Sequence, residues 1–281
     1  MKYWTSDEEQ FLKDNYDKFN IYELMQKLNR SMVSVRKKLY NLKLPWKKFT
    51  NDEMRQNLRR YVINEQFFKT WSNDMSYILG LWFADGYISR GGSRKTCYTF
   101  GISLHDNDSY LLWEILKKMQ SDYILHESNT GGTCQNIHIY SKIIYDDIIS
   151  LGGCERKSLT LTFPKNIPDD LLPDFIRGYF DGDGSVSYHS YWNAYRTTFT
   201  CGSEVFLKDL HSKLKIIDPN IQGQIAFHKN DFNGVYNLTF YKHDTLRFAK
   251  IIYKDPNDLY LVRKYDKFVN ASKNINSEII K

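Results

Sequence analysis

At 281 residues, with 42% hydrophobic and 16% aromatic side chains, the chain has the make-up of a folded globular protein holding one large core or two to three small ones. No apolar run reaches the ~18 residues needed to span a membrane, and MKYWTSDEE lacks a signal-peptide stretch, so the expectation is an intracellular, cytoplasmic protein with no membrane partner. The net charge of +6 sits at one end: residues 1–60 hold 14 Lys and Arg against 8 Asp and Glu, and 25 of each sign remain beyond them, a distribution that suits a polyanion bound through the basic segment.

The first 46 residues read as three short helices. Thr5 to Glu9 supplies a cap and an acidic first turn ahead of Phe11 and Leu12, Ile21 to Leu28 is a second helix, and Ser31 to Leu42 a third. In the third, Met32, Val35, Leu39 and Leu42 share one stripe while Arg36, Lys37 and Lys38 project elsewhere. A basic third helix suits the major groove of DNA. The unit resembles the Myb-like and helix-turn-helix modules appended to nucleases, with a plain three-helix bundle as the alternative. Pro45 and residues 47–72, including Lys47 and Lys48, read as a basic linker with one helix expected from Asn51 to Tyr61.

From residue 73 the chain reads twice. YILGLWFADG ends at Gly86 and FIRGYFDGDG at Gly184, 98 residues later. In each, small residues stand four apart, Gly80 and Ala84 in the first, Gly178 and Gly182 in the second. That spacing puts them on one helical face, where a second helix can come close. Gly86 and Gly184 are expected to stop the helices in a left-handed conformation. After each Asp-Gly come short strands rich in Tyr and Thr, a helix from Asp108 or Glu204, a strand through Asn136 or Asn237, and a further helix leading to Arg156-Lys157 or Arg263-Lys264. Two α+β halves, 73–170 and 171–275, related by a pseudo-twofold axis, are the economical fold.

The Asp-Gly pairs carry the chemistry. Helix C-termini expose carbonyl oxygens and partial negative charge, so Asp85 and Asp183, side by side at the ends of two touching helices, offer hard oxygen ligands for Mg²⁺. A calcium loop starting at Asp181 is excluded, because its sixth and twelfth positions would be Val186 and Trp192. Cys97, Cys134, Cys154 and Cys201 are scattered without a CxxC pair, and the histidines show no paired spacing, so neither a zinc site nor a disulfide framework is expected.

The two motifs and the order of helices and strands resemble a single-chain LAGLIDADG homing endonuclease over roughly residues 73 to 270. The resemblance implies an αββαββα fold in each half, motif helices at the interface, and two sheets forming a saddle in the major groove of a double-stranded DNA site. It implies Mg²⁺, with Mn²⁺ as substitute, held by Asp85, Asp183 and the carbonyls of Ala84 and Gly182, and hydrolysis of both strands to leave 3′ overhangs. Phe83 stands where the pattern has an acid that Asp181 keeps in the second motif. Lys157 and Lys264 match the late active-site lysine, a compact charge that does not compete as a metal ligand, with Lys165 an alternative in the first half. Arg156 and Arg263 precede them as backbone-binding candidates, and His105 is a weaker candidate near the first site. Base reading is expected from Tyr87, Arg90, Arg94, Lys95, Tyr98, Tyr188, His189, Tyr191, Asn193 and Arg196. An RNA-splicing maturase acting on its host intron RNA and a catalytically silent DNA-binding regulator are the alternatives; two retained acids and two late lysines favour the nuclease, acting as a monomer.

Overall fold

The computed structural model describes residues 4–19, 21–44, 61–92, 96–127, 133–229, 234–254, 256 and 258–274. Lys47, Lys48, Arg94, Lys95 and residues 51–60 of the expected linker helix lie outside them. The chain forms two compact units, Met1–Tyr61 and Val62–Lys281.

In the smaller unit, α1 (Ser6–Asn15) begins with a capping box in which the Thr5 hydroxyl and the Glu8 carboxylate each bond the other's backbone N–H. α2 (Ile21–Leu28) and α3 (Met32–Asn41, with Ser31 as its cap) follow. Leu12, Ile21, Leu24, Leu28, Val35 and Leu39 close the core, with Leu42 packed against it. Lys38 does not project with its neighbours. It bonds Glu9 and lies 5.7 Å from the centre of the Trp4 ring, because its place on α3 faces α1. Arg36 and Lys37 are exposed, as are Val33 and Tyr40 on the same helix.

The larger unit repeats one order of elements. The first half runs α4 (Asn73–Asp85), β1 (Gly86–Gly91), β2 (Cys97–His105), α5 (Ser109–Lys118), β3 (His126–Glu127), β4 (Cys134–Tyr140) and α6 (Lys142–Ser150). The second runs α7 (Leu172–Asp183), β5 (Gly184–His189), β6 (Ala194–Cys201), α8 (Glu204–Ile217), β7 (Gln224–His228), β8 (Val235–Tyr241), α9 (His243–Ile252) and α10 (Val262–Asn274). Each half holds an antiparallel four-stranded sheet, ordered β1-β2-β4-β3 and β5-β6-β8-β7. Alternate residues bury one face of each sheet: Ile88, Phe100, Ile102, Ile137 and Ile139 in the first, Val186, Phe199, Leu238 and Phe240 in the second. The fold is therefore α+β with two equivalent halves.

Two expectations need correction. Gly86 and Gly184 are not left-handed: they sit at φ −90 and −87 with ψ 164 and 156, so each helix turns straight into a strand. Their lack of a side chain matters sterically, since a Cβ would fall 2.2 Å from the Trp82 ring and 2.1 Å from the Phe180 ring. Residues 62–72 belong to the larger unit and not to a linker. Phe68 is buried against Phe100, and the buried Glu65 accepts a hydrogen bond from the Ser141 hydroxyl.

Candidate active site at the paired helix ends

The small residues do what their spacing requires. A Cβ on Gly80 would lie 2.0 Å from the Phe175 carbonyl oxygen, and one on Gly178 2.0 Å from that of Tyr77, so the backbones of α4 and α7 touch reciprocally. One turn further on, a Cβ on Gly182 would meet the Ala84 methyl at 2.2 Å and the Asp85 Oδ2 at 2.9 Å. The close approach thus carries through to the helix ends and sets the Asp85 carboxylate beside the residue that precedes Asp183.

The Asp85 carboxylate feels the charge of Asp183. Burial raises Asp85 to about 6, with the Asp183 charge adding to the effect and Lys264 and Lys157 opposing it. Burial also raises Asp183, and Lys157 pulls it back most. Both late lysines are delivered to the same ends. Lys157, in a single 3-10 turn Lys157–Leu159, donates to Ala84 O at 2.7 Å and lies over the Trp82 ring. Lys264, in the first turn of α10, donates to the carbonyls of Phe180, Asp181 and Gly184 at 2.8, 2.6 and 2.6 Å, with Gly182 O at 3.3 Å, and lies over the Phe180 ring. Trp82 and Phe180 hold equivalent places in the repeat, so the lysines are pseudo-symmetric partners. Burial lowers both, Lys264 to about 8.

Around the second site lies a buried polar group of which the sequence reading named only Asp181, the acid kept in the second motif. Asp181 accepts from the Tyr77 hydroxyl of the other half at 2.6 Å and from Leu261 N–H at 3.0 Å, and burial raises its carboxyl to about 6. Arg177, 1% exposed, donates to Asp174 at 2.6 Å and to the carbonyls of Ile252 and Leu259 at 2.8 and 3.1 Å, tying the segment ahead of Lys264 to α7. Arg263 is half-exposed, and its guanidinium is bidentate to Asp108 of the first half. His105 accepts from Asn107 N–H and meets the Thr133 hydroxyl, just ahead of β4. Lys165 is exposed.

A divalent cation fits the donor set. Two acids of which one raises the other, placed at the negative ends of two helices, are all hard oxygen donors. Among the described residues no three His, Cys, Asp or Glu side chains cluster, so such an ion would complete its shell with backbone carbonyls, water and phosphate. Ala84 O and Gly182 O already receive lysine ammoniums, and each carbonyl keeps a second lone pair.

The open face of each sheet carries a polar row across three strands. Tyr87, Gly101 and His138 are in register in the first half; the Tyr87 ring lies over Gly101 and its hydroxyl meets His138 Nδ1 at 2.8 Å. Ser187, Arg196 and Tyr241 align in the second, with Arg196 donating to Ser187. His189 shares the face of Ser187. Arg90, Tyr98 and Tyr188 do not: they belong to the rows of Ile88, Phe100 and Val186 on the helix side, where Tyr98 packs on Tyr145 and Tyr188 on Tyr195. Tyr191 and Asn193 lie in the β5–β6 turn, Asn193 at φ 47. His138 and Tyr241, on the open faces, were not singled out from the sequence.

Residues 171–253, within the second half, match the model of the LAGLIDADG-like domain. Three proteins of Methanocaldococcus jannaschii are similar to the chain: a replication factor C small subunit (25% identical over 153 residues, 53% of this chain and 8% of that protein), the DNA-directed RNA polymerase subunit Rpo1C (25% over 118 residues, 41% and 13%) and an uncharacterised protein (27% over 192 residues, 63% and 64%). The chain thus spans less than two thirds of the length of each. Among solved structures it is similar to the homing endonuclease I-WcaI bound to its DNA recognition sequence (TM-score 0.48, 16% identity, 73% of this chain and 91% of that one). It is also similar to the meganuclease I-SmaMI bound to uncleaveable DNA (0.48, 14%, 70% and 88%) and to I-DmoI in complex with DNA and Mn (0.45, 17%, 66% and 98%).

Proposed function

We propose that this chain is a site-specific DNA endonuclease of the homing type that hydrolyses one phosphodiester in each strand of a duplex and leaves 3′ overhangs. One observation carries the reading: two acids from reciprocally packed helices share one place, and a buried lysine reaches each helix end. Nothing in the packing of a merely structural helix pair calls for two carboxylates raised by burial, one of them also by the charge of the other, with two desolvated ammoniums beside them.

In this reading Asp85 and Asp183 hold Mg²⁺ or Mn²⁺, with help from Ala84 O and Gly182 O. Bound there, the metal supplies Lewis acidity and a water of lowered pKa. Lys157 and Lys264 add positive charge beside the phosphate without entering the metal shell, and their burial keeps that charge from being screened by water. The open sheet faces, with Tyr87, His138, Arg196 and Tyr241, read base edges, and α3 of the smaller unit, through Arg36 and Lys37, adds a helix-turn-helix contact. Similarity to short stretches of two long proteins of unrelated name, a replication factor and a polymerase subunit, is what an element that inserts into host genes would give, and supports intron or intein mobility.

The test is incubation with Mg²⁺ and duplexes spanning uninterrupted insertion sites, followed by sequencing of the ends. Asp85→Asn and Asp183→Asn are expected to lower cleavage by about a hundredfold or more, the scale of losing metal-borne charge stabilisation. Tight binding without cleavage by the unmodified protein would mark a silent regulator and refute the proposal.

A further inference from the structure

The two lysines are held by more than their own halves. In the second half, Lys264 is bracketed by contacts from the first. Arg263 Nε and Nη2 meet the Asp108 carboxylate at 2.9 and 2.7 Å, and the Tyr110 hydroxyl accepts from Val262 N–H at 2.8 Å and donates to Tyr260 O at 3.2 Å. Asp108 and Tyr110 sit where β2 passes into α5. In the other half the equivalent passage, β6 into α8, holds Gly202. A Cβ there would lie 2.5 Å from Ser158 O and 2.8 Å from the Leu159 side chain, the two residues that follow Lys157. The same strand-to-helix connection in each half therefore presses on the lysine segment of the opposite half, by charge and hydrogen bonds on one side and by bare backbone contact on the other.

We propose that each late lysine is seated in trans: Asp108 and Tyr110 are positioning residues for Lys264, and Gly202 for Lys157, so that neither site is complete without the other half. The role given to the lysines rests on the nuclease reading; the seating does not.

Hydrogen exchange on the full-length protein separates the two. Val262 N–H is bonded by the Tyr110 hydroxyl, and Thr160 N–H by Lys157 O at 3.1 Å, so these amides report on the two segments. Asp108→Asn and Tyr110→Phe are expected to speed exchange over residues 261–265 by about tenfold while leaving 157–160 unchanged, and Gly202→Val to do the reverse. Tyr110 is 39% exposed, so its variant tests the idea even where Asp108→Asn fails to fold. A rise in both segments with every variant, or in neither, overturns trans seating. On a duplex that the unmodified protein cuts in Mg²⁺, the two groups of variants are expected to slow opposite strands, a result that loss of stability alone does not give. Absence of any cleavage with the crossed exchange pattern intact overturns the nuclease reading and leaves the seating standing.

Discussion

Gly178→Ala tests the contact on which the site depends. The new Cβ would stand 2.0 Å from Tyr77 O and 2.8 Å from Leu81 N, where ordinary contact begins at 3.4 Å. Both neighbours are backbone atoms of α4, so no rotamer change relieves the overlap, and the helices must separate by about 1.4 Å in a densely packed interior. Overpacking of this kind costs about 3 kcal/mol at the upper end of its usual range, and the better helix propensity of Ala returns about 1 kcal/mol. The net, about 2 kcal/mol, corresponds to a fall in Tm of about 4–8 °C for a unit of this size. Scanning calorimetry of the full chain measures it, with Gly91→Ala as control, since a Cβ at Gly91 meets nothing within 4 Å. Equal Tm values for the two variants, within about 1–2 °C, would refute reciprocal backbone contact.

Asp85 and Asp181, at about 6 in the fold, lie above the ordinary carboxylate value. The folded state therefore holds more protons between about pH 4 and 6, and metal-free stability is expected to fall as pH rises through 6. Asp181→Asn should flatten that fall by up to about 1.4 kcal/mol between pH 5 and 7, read from urea midpoints at those two values; an unchanged slope counts against the raised carboxyl. Lys264 serves the carbonyls of Phe180, Asp181 and Gly184 and Lys157 serves one, Ala84. Lys264→Met is accordingly expected to cost about 3 kcal/mol and Lys157→Met about 1 kcal/mol, in the same denaturation assay. Starting the chain at residue 73 should destabilise the larger unit, because Phe68 and Glu65 leave its core, whereas starting at 62 should not; thermal melts of the two truncations compare them. The 62–281 chain should also show a shallower dependence of DNA affinity on salt, since the basic excess lies before residue 61.

What was legible in the sequence is what depends on an absent side chain or on spacing alone. Gly80 and Gly178 announce a close approach because a missing Cβ has one steric meaning at that spacing, and the passage from helix to strand falls at each Asp-Gly pair as read. The conformation of Gly86 and Gly184 was not legible, since the reason for glycine is a ring, Trp82 or Phe180, folded back across it. Arg90, Tyr98 and Tyr188 were named as base readers without a face, because strand alternation says which residues share a face but not which face is covered, and amphipathic side chains suit both. Arg177 escaped notice for the opposite reason: charged residues are seldom buried, and the Asp174 carboxylate with the carbonyls of Ile252 and Leu259 makes that burial tolerable. Lys38 was read by its charge, and the partner that claims it, Glu9, lies a whole helix away.

The two halves are equivalent in fold and deliberately unlike at one point of their interface. On one side Tyr77 meets Asp181; at the pseudo-equivalent place Phe175 meets Phe83, ring edge to ring face at 5.4 Å. Pairing α4 with a second copy of itself would set Tyr77 against Phe83 on both sides and leave a buried hydroxyl without the carboxylate. Pairing α7 with itself would set Phe175 against Asp181 on both sides and leave two buried acids without a phenol donor, each at a cost of about 1–3 kcal/mol. Only α4 with α7 gives the Tyr77 hydroxyl its carboxylate and the Asp181 carboxylate its phenol donor. The departure of Phe83 from the acidic pattern is thus the complement of Asp181 retaining it, and it disfavours assembly of either half with its own kind, as an interface that must form within one chain requires.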